Sequence, residues 1–372
     1  MTNFTQFPQV FTAENAGGAP PVASAPTDVT LFVGESPDGP LKATPVASFS
    51  DYARLYGQSP SLLTASLRAF FDNGGRRAIV LRLDSAPSDR NSFLSALASA
   101  FAEGGAADAL AFNLLCVPGL TEAPAIAPLQ AFCRRKRAFL ILDAPQQATV
   151  ESLLQGLPAL TGPDAMNAAL YYPWIMTPEG PQPPCGFVAG VYARMDAARG
   201  VWKAPAGAEA SLVGALDLKA HLDDRQNGLL NPRGVNCLRR FPERGLLVFG
   251  ARTLDGDDLR GSDWKFIPVR RLALFIESSL AASLGWTIFE TNAEPLWARI
   301  SLAIEGFLHG LFRQGAFQGA KADECFFVRC DATTTTQADI DAGVVNILIG
   351  FAALKPAEFV LIHMQTRANA PA

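Results

Sequence analysis

Histidine is scarce in this chain: three residues, His221, His309 and His363, among 372. His309 falls in a predicted helix and His363 in an apolar strand, and neither has a carboxylate or cysteine beside it to complete a catalytic or metal-binding set. A G-x-S-x-G elbow is absent, as are G-x-G-x-x-G and Gly-Lys-Ser/Thr, which excludes the common hydrolase and phosphate-loop signatures. Asn73-Gly74-Gly75 follows a helix rather than a strand and reads as a helix stop. The six cysteines (116, 133, 185, 237, 325 and 330) contain no C-x-x-C pair and read as buried, reduced thiols. The aspartates at 255, 257 and 258, and at 331, 339 and 341, miss the spacing of a calcium loop and read as solvated turns and caps. No catalytic residue, metal or cofactor is expected.

Clustered positive charge is also lacking. The net charge is −4, and the one basic run, Arg134-Arg135-Lys136-Arg137, ends a predicted helix, where cations complement the dipole. Nucleic acid is therefore not an expected partner. The N-terminus has neither a basic nor an apolar leader segment, and the apolar run at 344–354 is too short to span a bilayer, so no membrane insertion is expected. Lysine is rare as well, seven against 24 arginines, a bias that suits charges fixed in protein contacts.

What is present is hydrophobic residue in plenty, 49%, arranged with clear periodicity. Strand patterns at 29–33 and 77–83 flank a helix whose apolar face carries Leu63, Leu67, Phe70 and Phe71, started by Ser59-Pro60. A helix over about 91–102, a strand at 110–117, a helix at 125–136 and a strand at 138–142 follow. This β-α-β alternation predicts an α/β domain with a largely parallel sheet over residues 28–180. The proline-rich stretch 161–186 suggests a boundary, and 181–356 reads as a mixed α+β domain. There the hairpin pair 235–240 and 245–250 precedes helices at 268–284 and 294–313, then strands at 325–329, 344–350 and 359–364.

The two ends differ from the rest. Residues 1–27 have a Gly/Ala/Pro-rich linker and few large apolar groups (Phe4, Phe7, Val10 and Phe11), which predicts an extended arm. Residues 357–372 hold a strand, Glu358-Phe-Val-Leu-Ile-His-Met364, apolar on both faces and followed by a loose tail. Ends of these kinds suit strand exchange between copies.

Residues 188–207, VAGVYARMDAARGVWKAPAG, resemble an active-site loop at first sight, with Tyr192, Arg194, Asp196, Arg199, Trp202 and Lys203 between glycines. Longer blocks decide otherwise. GFVAGVYARMDAARGVWKAPAG (186–207), LLNPRGVNCLRRFPERGLLVFGARTL (229–254), WKFIPVRRLALFIESSL (264–280), FETNAEPLWARISLAIEGFLHGLFRQGAFQG (289–319) and FFVRCDATTTTQADIDAGVVNILIGFAALKPAEFVL (326–361) occur in one order. Together they resemble the tail sheath proteins of contractile phages and phage-tail-like injection systems. The start departs from the family's Pro-Gly-Val-Tyr-like strand, with Phe7-Pro8-Gln9-Val10-Phe11 in its place.

The resemblance implies a mechanical subunit without an active site, in which Tyr192, Arg194 and Trp202 make contacts at the entry to the conserved domain. It implies a helical homopolymer around an inner tube, with baseplate and terminal cap proteins and sheath paralogues as further partners, assembled in the bacterial cytoplasm. Phe7, Val10 and Phe11 of the arm, and Phe359, Val360, Leu361, Ile362 and His363 of the last strand, would be exchanged between subunits. On the helix at 294–313, the line Arg299, Ala303, Gly306, Gly310, Arg313 is small in the middle and cationic at its ends; it reads either as a surface for another helix of the same domain or, through Arg299, Gly306, Gly310 and Arg313, as the face toward the tube. A baseplate-proximal or capping paralogue and, at greater distance, a soluble α/β enzyme remain alternatives.

Overall fold

The computed structural model of the chain describes residues 20–85, 89–354 and 359–367. The arm residues Phe7, Val10 and Phe11 lie outside the described residues. In chain order the first elements are β1 (Val29–Gly34), β2 (Thr44–Val46), α1 (Phe49–Tyr56), α2 (Leu62–Asp72), β3 (Arg77–Arg82), α3 (Arg90–Phe101) and β4 (Leu114–Cys116). Next come α4 (Ala123–Lys136), β5 (Phe139–Asp143), α5 (Val150–Gly156), β6 (Ala168–Tyr172), β7 (Ile175–Thr177), β8 (Gly180–Gln182) and α6 (Cys185–Arg199). They are followed by β9 (Asp217–Leu218), α7 (Asp224–Leu230), β10 (Val235–Phe241), β11 (Gly245–Phe249), α8 (Ile267–Ser283) and α9 (Glu294–Arg313). The last are α10 (Ala322–Cys325), β12 (Phe326–Arg329), α11 (Gln337–Asp341), β13 (Val344–Ala352) and β14 (Phe359–Arg367).

The expected parallel sheet is there, and it is larger than the first half of the chain. Eight strands run in the order β11-β10-β6-β5-β4-β1-β3-β2. The six inner strands pair in parallel and the antiparallel strands β2 and β11 close the two sides. Because both faces are covered, the central strands β1, β4, β5 and β6 are largely apolar rather than alternating. On one face Phe32, Phe139 and Ile141 meet α1, α2 and α6; on the other Leu31, Val33 and Leu140 meet α3 and α4. The division expected at residue 180 does not mark the end of this sheet, since β10 and β11 add to it beside β6. The prolines of 161–186 instead punctuate the short strands β6, β7 and β8.

Local chemistry sets the boundaries. In α2, Leu63, Leu67 and Phe70 recur at helical spacing, and the N-cap is Ser61, whose hydroxyl accepts from Thr64 N at 3.0 Å. The helix therefore starts two residues later than the Ser59-Pro60 signal implies. It stops at Asn73, followed by Gly74 at φ +103°, a left-handed conformation open to glycine. The run 110–117 shrinks to the three residues of β4, because only these reach partners on both β1 and β5.

The C-terminal half packs α8 and α9 against the antiparallel sheet β12-β13-β14. Leu272, Ile276 and Leu280 of α8 and Trp297, Ile300, Ile304 and Leu308 of α9 fill this core with Val345, Ile347 and Ile349 of β13. The stretch Ile267–Phe289 is long and apolar enough to cross a membrane by length and composition, and its central packing accounts for that composition. Within the single chain β14 pairs with β13 over nine residues, Val344 with Arg367 through Ala352 with Phe359. For Phe359, Val360, Leu361, Ile362 and His363 this backbone pairing is what is described.

Candidate assembly surfaces

The stretch that looked like a loop is mostly α6, a 15-residue helix whose residues 185–193 are all buried. Its glycines serve close packing. A Cβ on Gly186 would lie 2.3 Å from Ser66 O, and one on Gly190 2.5 Å from Phe70 O, so α6 crosses α2 with backbone nearly touching backbone. Asp143, at the end of β5, anchors the start of α6 by accepting from Cys185 N at 2.7 Å and from Gly119 N at 3.0 Å. Burial pushes its carboxyl up to about 6, against those hydrogen bonds.

The polar side chains of this stretch join the two halves of the subunit. Arg271 on α8 grips Asp196 with two bonds, Nη2 to Oδ2 at 2.6 Å and Nη1 to Oδ1 at 2.9 Å, both side chains being 4% exposed. The same guanidinium donates to Thr27 O at 3.1 Å and lies 4.6 Å over the Tyr192 ring. Tyr192 in turn meets Tyr171 of β6 through their hydroxyls, 2.6 Å apart. Burial raises the Asp196 carboxyl, and the charge and hydrogen bonds of Arg271 oppose that rise. Arg194 donates to Asn73 O and Ser211 O at 2.9 and 2.7 Å, and Arg199 pairs with Glu209 at 2.6 Å. These groups are consumed by contacts inside the subunit, which removes the impression of a substrate site.

Other chemistry-bearing residues are similarly occupied. His221 sits 3.0 Å from Asp217, and His309 meets the Phe326 ring edge-on. All six cysteines are free and buried. Among the described residues no cluster of three or more His, Cys, Asp or Glu could hold a metal.

On α9 the expected outward line is partly free and partly tied. Gly306 is exposed, and a Cβ at Gly306 or Gly310 would meet nothing within 4 Å, so no other described element packs on this face. Arg313 is exposed. Arg299 is held inside the subunit: it pairs with Glu290 at 3.3 Å and stacks 4.6 Å over Trp286. Leu302, 65% exposed on the same face, and Phe289 before the helix are surface groups that sequence periodicity did not single out. A helical wheel places Leu302 outside, but a single exposed leucine carries no signal by itself.

Comparisons with known proteins agree with this architecture. Residues 95–254 match the model of the phage tail sheath protein central domain, and residues 260–367 match the phage tail sheath C-terminal domain. The break between the two matches falls after the last strand of the large sheet and before α8. A tail sheath protein of Salmonella phage ViI is 28% identical over 177 residues, 47% of this chain; the alignment spans only 26% of that relative's length. The sheath complex of an extracellular contractile injection system, PVC, in its contracted state superposes with a TM-score of 0.79 at 31% identity, covering 98% of both chains. The helical sheath of the anti-feeding prophage in its contracted state gives 0.77 at 34%, covering 96% of this chain and 99% of that one. A chain of the anti-feeding prophage baseplate gives 0.74 at 33%, covering 98% and 99%. With two sheath domains matched in order and full-length likeness to sheath subunits above 30% identity, this chain belongs to the tail sheath protein family of contractile phage tails and phage-tail-like injection systems.

Proposed function

We propose that the chain polymerises helically around an inner tube and, on a signal from a baseplate, contracts to drive that tube through a target envelope. The observation that carries this reading is the end-to-end likeness to sheath subunits in contracted assemblies. Synthesis and assembly belong to the bacterial cytoplasm in this reading, with cap proteins and sheath paralogues as further partners.

The subunit fold supplies a route to linkage. The β13–β14 pairing has nine residue pairs, and the identical pairing can form between two copies. Such an exchange preserves every ladder hydrogen bond, so it costs mainly association entropy, which a high local concentration of subunits offsets. Each ladder bond contributes about 0.5–1.5 kcal/mol net, so an exchanged strand holds while weaker lateral contacts are remade. In this reading Phe359, Val360, Leu361, Ile362 and His363 are lent to one neighbour, while Phe7, Val10 and Phe11 pair with the sheet edge of another. The open face of α9, with Gly306, Gly310, Arg313 and the half-buried Arg299, meets the tube.

A baseplate-proximal sheath paralogue is the second reading, favoured by the likeness to a baseplate chain. Negative-stain microscopy of the purified chain separates the two: long striated tubes support the sheath, short discs at a baseplate the paralogue. Deleting residues 357–372 should leave a folded subunit that forms no tubes, and normal tubes from that truncation refute the exchange.

A further inference from the structure

Residues 20–27, PPVASAPT, precede the large sheet and run along α8 in the opposite direction to it. Three side chains of α8 hold this segment. Ala23 N donates to Ser283 Oγ at 3.0 Å, Ala25 N donates to Ser279 Oγ at 2.9 Å, and Arg271 Nη2 donates to Thr27 O at 3.1 Å. The spacings of the two hydroxyl contacts match. Four residues of helix rise about 6 Å and two residues of extended chain span about 6.6 Å, so alternate amides meet hydroxyls four residues apart.

The three holds differ in depth. Arg271 is 4% exposed and fixed by Asp196, and just past Thr27 the chain is tied down by the Asp28–Arg77 ion pair and by β1. Ser279 is buried, but its hydroxyl also donates to Phe275 O at 2.8 Å and keeps that bond if Ala25 leaves. Ser283 and Ala23 meet in an exposed setting, where water can replace either partner. Apolar packing adds little. Val22 is half-buried against the C-terminal core, and the other side chains of 20–26 are Ala, Ser and Pro. Pro20, Pro21 and Pro26 have no N–H to satisfy and keep a freed chain extended.

We propose that residues 20–26 are a releasable strap, held along α8 in the free subunit and peeled from Ser283 toward Arg271 when a neighbouring copy takes residues 1–19. Peeling stops at Thr27, where the holds become buried and ionic. The Arg271–Asp196 pair that joins the two halves is therefore loaded only after the strap is spent. Seven freed residues reach about 20 Å as extended, proline-rich chain. Subunits that move past one another while their exchanged strands hold need slack of this size, and the strap stores it. The proposal rests on the arm exchange read above and adds where its slack lies and what releases it.

Hydrogen exchange and assembly of the full chain test this together. In the free subunit the amides of Ala23 and Ala25 should exchange several-fold more slowly than in the variant with Ser279→Ala and Ser283→Ala. In polymers of the natural chain the same amides should exchange at the rate of that variant. Because the variant has no strap to peel, it should polymerise at a subunit concentration lower by about fivefold or more, the combined weight of two net hydrogen bonds. A strap that only orders the arm would give the opposite shift, a higher concentration. Ala23→Pro removes the outer donor without touching α8 and should shift the threshold the same way as the double variant. Polymers in which the two amides stay protected, or variants that need an equal or higher concentration, overturn the strap and leave the sheath reading intact. A natural chain that never polymerises overturns the sheath reading and the strap with it.

Discussion

Arg271 and Asp196 tie the two halves of the subunit together through a two-pronged ion pair, 2.6 and 2.9 Å, in a setting closed to water. One partner is on α8 and the other on α6, with Tyr192 packed against the guanidinium and the Thr27 carbonyl completing its bonds. Removing one member strands the other charge in the interior, which costs about 3–5 kcal/mol. Arg271→Ala should therefore lower the free energy of unfolding by that order in a urea titration of unassembled subunit. Replacing both residues by apolar ones of similar volume should cost much less. Equal, small losses for the single and double variants would show that the pair does not join the halves.

Asp143 predicts a dependence on pH. Its folded carboxyl titrates at about 6, above the unfolded value of about 3.9, so the folded state holds the proton more tightly. The stability from this group is complete below about pH 4 and is lost as pH rises through 6, a change on the order of 3 kcal/mol. Asp143→Asn removes that dependence. The stability of the variant relative to the natural chain should rise between pH 4 and pH 7, as read from denaturant unfolding at each pH. A difference that stays flat across this range contradicts the assignment.

The glycines of α6 and α9 should respond oppositely to alanine. Gly190→Ala forces a methyl group to within 2.5 Å of Phe70 O and should destabilise the subunit by about 1–3 kcal/mol. Gly306→Ala meets nothing within 4 Å and removes a helix-interior glycine, so it should stabilise the isolated subunit by about 0.5–1 kcal/mol. If α9 faces the tube, Arg313→Glu should leave sheath-only polymers intact and lower the fraction of tube-filled particles. Thermal melts check the first two, and particle counts by microscopy check the third.

Much of the fold was legible from periodicity. The apolar face of α9, with Trp297, Ile300, Ile304, Phe307, Leu308 and Leu311, is buried as its spacing implies. The all-round apolar character of 268–284 likewise placed α8 in a core. What failed was local reading of non-local contacts. Gly186 and Gly190 look like loop residues in isolation, and their purpose is visible only once α2 lies against them. The hairpin of β10 and β11 was legible, but its parallel partner β6 is more than 60 residues away, and nothing local records that pairing. At the surface, the Arg299–Trp286 stack depends on how the segment between α8 and α9 folds back, which spacing does not encode.

Helical reconstruction of tubes formed by the purified full-length chain tests the central claim most directly, because it reads polymer, register and strand partner at once. The expected density shows an open helix of subunits in which residues 359–367 pair with β13 of a neighbouring copy, in the register seen within the single chain. Closed rings, dispersed monomers, or tubes in which every β14 stays on its own β13 would contradict a sheath linked by exchanged strands.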